Sequence, residues 1–138
     1  MVYKRIMICM AHKDDEANLI HEAIKLASNL SAELSVLHIN SASAGKTHMK
    51  MDYESLVTEK DLRDQIKKLG YEKEAEDISV HILTGSSLPK EIAKATENVD
   101  LLVIGHRKKN RFLSAFIDSV DKRVCDWVRC PILIVPRI

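Results

Sequence analysis

Apolar and polar positions along the chain follow two alternating periods. Tyr3 to Ala11, YKRIMICMA, is apolar nearly throughout, as a strand covered on both faces would be. From Asp14 the period becomes helical, with Ile20, Ala23, Ile24, Ala27 and Leu30 on one stripe. Asp14, Asp15 and Glu16 then fall in the first turn, where the helix dipole favours acids. Glu33 to Asn40, ELSVLHIN, predicts a second strand, and the patternless SASAGKTHMKMD over 41–52 predicts a loop. A helix follows from Tyr53 to Leu69, its apolar phase slipping between Val57 and Leu62, and Gly70 stops it. Asp77 to Gly85 is the third strand, and Pro89 opens a short helix carrying Ile92, Ala95, Thr96 and Val99. Asp100 to Gly105 is the fourth strand. Phe112, Phe116, Val120, Val124 and Trp127 mark a further helix, and CPILIVPRI closes the chain as a fifth strand bracketed by Pro131 and Pro136.

Strands alternating with helices across short turns imply a parallel sheet with helices on both faces, an α/β fold. The length of 138 residues suits one domain over 1–138. In such a sheet ligands sit beyond the carboxyl ends of the strands, where the strand order reverses. That points to the turns AHKDD and GHRKKNR after the first and fourth strands.

Charge narrows the field of partners. Twenty-one basic residues stand against twenty acidic ones, so no global field draws the chain to nucleic acid or to an acidic membrane. The dense local patch is Arg107 to Arg111, and without interleaved aromatic residues it predicts no nucleic-acid partner. The first apolar run is too short for a signal segment or a membrane span, so a cytoplasmic protein is expected. Cys9, Cys125 and Cys130 form no C-x-x-C pair and are read as reduced thiols, with Cys9 a small core residue.

Candidate chemistry is sparse. His12 with Asp14 and Asp15 matches no zinc or calcium spacing, so no metal is expected. His38 and His81 alternate with apolar residues in strands and are read as structural. Gly85, Ser86 and Ser87 precede a helix, where a serine caps. His106, next to Gly105, lies at the mouth of the predicted pocket. No nucleophile–base pair or paired carboxylates stand out, so no catalytic residue is assigned and no enzyme is expected.

YKRIMICMA, ILTGSSLPKEI, VDLLVIGHR and DSVDKRVCDWVRCPILIVP together make the chain resemble the universal stress protein family over essentially its whole length. The resemblance implies a single Rossmann-like open sheet of five parallel strands in the order 3-2-1-4-5, usually dimeric. It also implies two branches, one that binds ATP and one, universal stress protein A-like, that does not. The binding branch carries G-x-x-G, nine residues and then G-[S/T] after the fourth strand, with an aspartate ending the first strand. Laid on that pattern, Gly105 keeps the first glycine and Ser119 the hydroxyl, whereas Lys108, Asp118 and Ala11 depart from it. Ile39, His106, Arg107 and Val120 complete the positions equivalent to the nucleotide site.

Those departures weigh against phosphate. The glycines let backbone N–H groups approach it closely, and a side chain at Lys108 obstructs that approach. Asp118 places a carboxylate at the phosphate position, and a like charge at about 4 Å costs roughly 4 kcal/mol at an effective dielectric near 20. Arg107, Lys108, Lys109 and Arg111 offer the alternative, a side-chain clamp on ATP or AMP. Loss of tight ATP binding, with no cofactor, is the expectation.

The expected protein is therefore a non-catalytic regulatory or interaction module of the stress response, with an unidentified protein partner. A homodimer through the fifth strand is expected, Ile132 with Ile134, or Leu133 with Val135, meeting their own copies.

Overall fold

Successive side chains of a strand point to opposite faces, so a sheet covered on both sides needs apolar residues at every position. The computed structural model describes residues 2–40, 56–84, 88–107 and 124–137. In chain order the elements are β1 (Arg5–Cys9), α1 (Ala17–Leu30), β2 (Glu33–Asn40), α2 (Glu59–Lys68), α3 (Glu72–Asp77), β3 (Ser79–Thr84), α4 (Leu88–Ala95), β4 (Leu101–Arg107) and β5 (Ile132–Arg137). All neighbours pair in parallel, in the order β3-β2-β1-β4-β5.

The alternation in β1 divides the core in two. Ile6 and Ile8 turn to one face, where they pack with Val36, Val103 and Val135 beneath α1, α2 and α3. Met7 and Cys9 turn to the other and pack with Leu37, Leu102, Ile92 of α4 and Val124. Residues 124–127 form a helical turn, and Trp127 at its end is half exposed, off the stripe that periodicity assigned to it.

Element ends show where local chemistry overrides periodicity. Asp14, Asp15 and Glu16 precede α1 and do not occupy its first turn, because Glu16 is drawn inward as the N-cap residue. The far end of α1 closes on Ser31 in the left-handed conformation, and Leu30 is left exposed. α2 starts at Glu59, later than Tyr53, because a capping box fixes it there: Thr58 accepts from the Asp61 N–H while Asp61 accepts from the Thr58 N–H. Residues 41–55 lie outside the described residues. Gly70, at φ 94°, ends α2 as expected.

α3 escaped periodicity altogether, since its sequence EKEAED offers Ala75 as its one buried side chain. Tertiary bonds support it: Arg63 of α2 donates to the carbonyl oxygen of Ala75 at 2.5 Å, and Tyr71 bonds His21 of α1. At the other end of the chain, Pro136 lies inside β5 and does not terminate it, opposite His106 of β4. An edge strand tolerates a missing N–H.

The amino ends of β1 and β4 are stitched by Asp100. Its Oδ2 accepts the N–H groups of Lys4 at 2.8 Å and Arg5 at 2.9 Å, while its own N–H donates to the Arg5 carbonyl oxygen. The two backbone donors hold the Asp100 carboxyl below the usual carboxylate range. A depressed folded-state value stabilises the fold above the unfolded-state value, and that contribution is lost as pH falls through the folded-state one. Asp100→Asn, which keeps an acceptor and removes the charge, should lower stability at pH 7. Urea denaturation at stepped pH should show parent and variant converging in acid; equal stability at pH 7 would mean that the charged stitch contributes nothing.

Candidate functional site

The strand order reverses between β1 and β4, so the candidate site is the carboxyl end of those two strands. The turn after β1 is built around one carboxylate. Glu16 is fully buried, and its two oxygens accept the N–H groups of Ala11 and Lys13, each at 2.7 Å. His12 between them takes φ 58°, the left-handed region that lets flanking N–H groups converge on one anion. Gln65 of α2 donates to both Glu16, at 3.2 Å, and the carbonyl oxygen of Lys13, at 3.0 Å. The turn is thereby closed from within.

A second polar assembly lies at the end of β2. His38 is buried, with Nδ1 2.7 Å from the Met10 carbonyl oxygen and Nε2 3.2 Å from Asn40 Oδ1. Asn40 in turn bonds both backbone groups of Val57, donating to its oxygen at 3.0 Å and accepting from its N–H at 3.1 Å. These bonds join β1, β2 and the approach to α2, so His38 is a satisfied structural residue. His81, by contrast, is exposed on β3.

Gly105 ends the apolar part of β4 under a side chain that crosses from β5. A Cβ there would stand 2.5 Å from Cδ and 2.6 Å from Cγ of Arg137, with Leu19 Cδ2 at 3.2 Å. Arg137 is itself almost buried, and its Nε lies 3.6 Å from Oδ2 of Asp15 in the turn before α1. Asn18 of α1 adds a bond to the carbonyl oxygen of Pro136 at 2.9 Å. The glycine thus has a packing requirement of its own.

Of the residues placed in the site by sequence, Ala11, Gly105 and His106 gather at this end. Ile39 lies nearby in β2 with its side chain in the second core. Arg107 ends β4; Lys108, Lys109, Arg111, Asp118, Ser119, Val120, Gly85, Ser86 and Ser87 lie outside the described residues. Glu16, Gln65 and Arg137 were missed. Glu16 reads as a helix-dipole acid, and Gln65 carries no pattern that singles it out. Arg137 does carry a signal, since alternation from buried Val135 places it on the α1 face.

On β5, Val135 is buried and Ile132 packs against the second core, whereas Leu133 is 40% and Ile134 58% exposed. Alternation therefore does not expose either expected pair as a unit. One exposed aliphatic side chain stands on each face. Elsewhere, burial pushes the Cys130 thiol up, which disfavours a reactive thiolate. Among the described residues no cluster of three or more His, Cys, Asp or Glu can hold a metal ion, and no helix is long and apolar enough to cross a membrane.

The reversal between β1 and β4, with a glycine two residues before the end of β4, defines a doubly wound α/β protein whose ligand end lies at these two turns. Residues 2–136 match the universal stress protein family, and the chain belongs to that family. No curated relative matches its sequence. Among solved structures it is similar to a universal stress protein in complex with cAMP, with a TM-score of 0.68, 16% identity and all of both chains covered. A universal stress protein from Archaeoglobus fulgidus matches with a TM-score of 0.63 and 22% identity over 97% of this chain and 94% of that one. Another from Archaeoglobus fulgidus, in complex with dAMP, matches with a TM-score of 0.58 and 20% identity over 97% and 98%. At these identities the likeness shows the fold.

The packing at Gly105 can be isolated by a double-mutant cycle. Gly105→Ala should cost about 1–3 kcal/mol through the overpacking of Arg137, and most of that loss should vanish in an Arg137→Ala background. Denaturant titration of the four proteins measures the coupling; an undiminished loss would assign the glycine's role to some other contact.

Proposed function

We propose that this chain is a non-catalytic universal stress protein that acts in the cytoplasm as a dimeric regulatory or interaction module, without tight ATP binding. The observation that carries this reading is the self-satisfied turn after β1. The N–H groups of Ala11 and Lys13 already hold the Glu16 carboxylate. A ligand using them must first displace a buried charge, and a buried charge stripped of its donors is costly. Ala11 supplies no carboxylate of its own for a nucleotide, and Asp118 in the sequence adds repulsion toward phosphate.

The second reading is an ATP- or AMP-binding protein that uses the basic run Arg107 to Arg111 as a clamp. It is favoured by the similar structures solved in complex with cAMP and dAMP. Calorimetry separates the two. The unmodified protein should show no sub-micromolar ATP affinity, and mass spectrometry of freshly purified protein should find no co-purified nucleotide. Lys108→Gly combined with Asp118→Gly should strengthen ATP binding if local charge and backbone access decide it. Sub-micromolar binding by the parent overturns the first reading.

The dimer is proposed through β5, an edge strand that presents Leu133 and Ile134 to solvent. An exposed apolar edge invites pairing with its own copy across a two-fold axis. Leu133→Lys and Ile134→Lys, made separately, each put a charge against its own copy there. Sedimentation should show a dimeric parent and, for at least one variant, monomer at micromolar concentration. A monomeric parent, or unchanged mass in both variants, overturns the strand-five dimer.

A further inference from the structure

A groove of about 1220 Å³ lies away from the ligand end. It wraps the amino end of the sheet and the β3 edge, from α1 and α3 on one face to α4 on the other. Small-molecule clefts span roughly 300–1,000 Å³, so this groove has room for a segment of another protein. Its floor is apolar at Leu83 and Val99, and among the described residues five carboxylates line it against three basic side chains. That balance opposes the slight positive charge of the chain as a whole. Arg5 and Glu33 pair with each other at 3.8 Å, which leaves four carboxylates facing two basic side chains.

One wall carries an unmet acceptor. Glu91 Oε2, on α4, is shielded from solvent and makes no hydrogen bond. A carboxylate oxygen in that state gains from any charged donor brought to it. The terminal torsion of a glutamate is soft, so the group can turn an oxygen toward the groove at little cost. A lysine or arginine whose methylene stem lies on the apolar floor satisfies both features together.

We infer that this groove docks a basic segment of a partner protein, with a lysine or arginine side chain bound by Glu91. The choice of a protein as occupant rests on the interaction-module reading, while the groove is separate from both β5 and the turns after β1 and β4. The probe is a short fluorescent peptide alternating lysine and leucine, with a glutamate–leucine peptide as control, measured by anisotropy at physiological salt. The lysine peptide should bind and the control should not. Glu91→Gln, which preserves shape and removes the charge, should weaken binding by roughly tenfold or more. On the unmodified protein, the peptide should shift the backbone amide resonances of Leu83, Ala95 and Val99. The inference is overturned if the lysine peptide does not bind, if Glu91→Gln binds it equally well, or if the shifted amides lie only at the ligand end. Loss of peptide binding with the nucleotide and sedimentation results intact sinks the groove alone; failure of those results with peptide binding intact sinks the broader reading.

Discussion

A parallel sheet has no hairpins, so every strand must be returned by a crossover that packs on one of its faces. Both faces of this sheet are therefore interior at its centre, and β1, the pivot from which the chain winds in opposite directions, can carry no inward polar group along its length. Ile6, Met7 and Ile8 are accordingly all but inaccessible, and polar chemistry begins only where the strand stops. The stitch at Asp100 fixes one end of the pivot and the Glu16 turn the other. Both use a carboxylate to take up backbone N–H groups that have passed beyond the sheet ladder, which is how a strand end avoids orphaned donors.

This constraint explains which features were legible from the amino-acid order. A strand buried on both faces declares itself by an unbroken apolar run, as LLVIG did for β4; ELSVLHIN mixes polar and apolar residues, yet the bounds of β2 agree residue for residue. Helices declare themselves by a stripe, and α3 has none to show beyond Ala75. It is held by Arg63 and Tyr71, contacts between elements that no local pattern encodes. The start of α2 was obscured for a different reason. Val57 is apolar but serves as a backbone partner for Asn40, so it interrupts the helical phase while belonging to the polar assembly.

The site was legible as a place and much less so as an arrangement. Alternation of elements locates the switch point, and Gly105 marks the end of the apolar run of β4, which continues to Arg107 because His106 and Arg107 still pair with β5. The closure of the β1 turn depends on a carboxylate reaching back toward N–H groups three and five residues earlier, through a left-handed residue that is not glycine. Histidine seldom adopts that conformation, and a sequence pattern gives no warning of it. Glu16 looked like an acid placed for the helix dipole. Its burial reveals a counter-charge for the turn.

Gly105 shows why a motif residue cannot be assigned to a ligand by its position alone. A glycine near the end of this strand permits backbone approach to phosphate, and it equally permits the approach of another part of the same chain. Here the visitor is the Arg137 stem, pressed where a Cβ would stand, with its guanidinium turned to Asp15. The arginine comes from the edge strand and the aspartate from the turn that Glu16 organises. One side chain thus connects the sheet edge, the glycine of β4 and the mouth of the β1 turn. A rearrangement at any of the three must be accommodated by the others, because the nearly buried charge of Arg137 cannot leave Asp15 without finding another anion or water. The small-residue requirement at 105 follows from that internal linkage whether or not a phosphate ever reaches the turn.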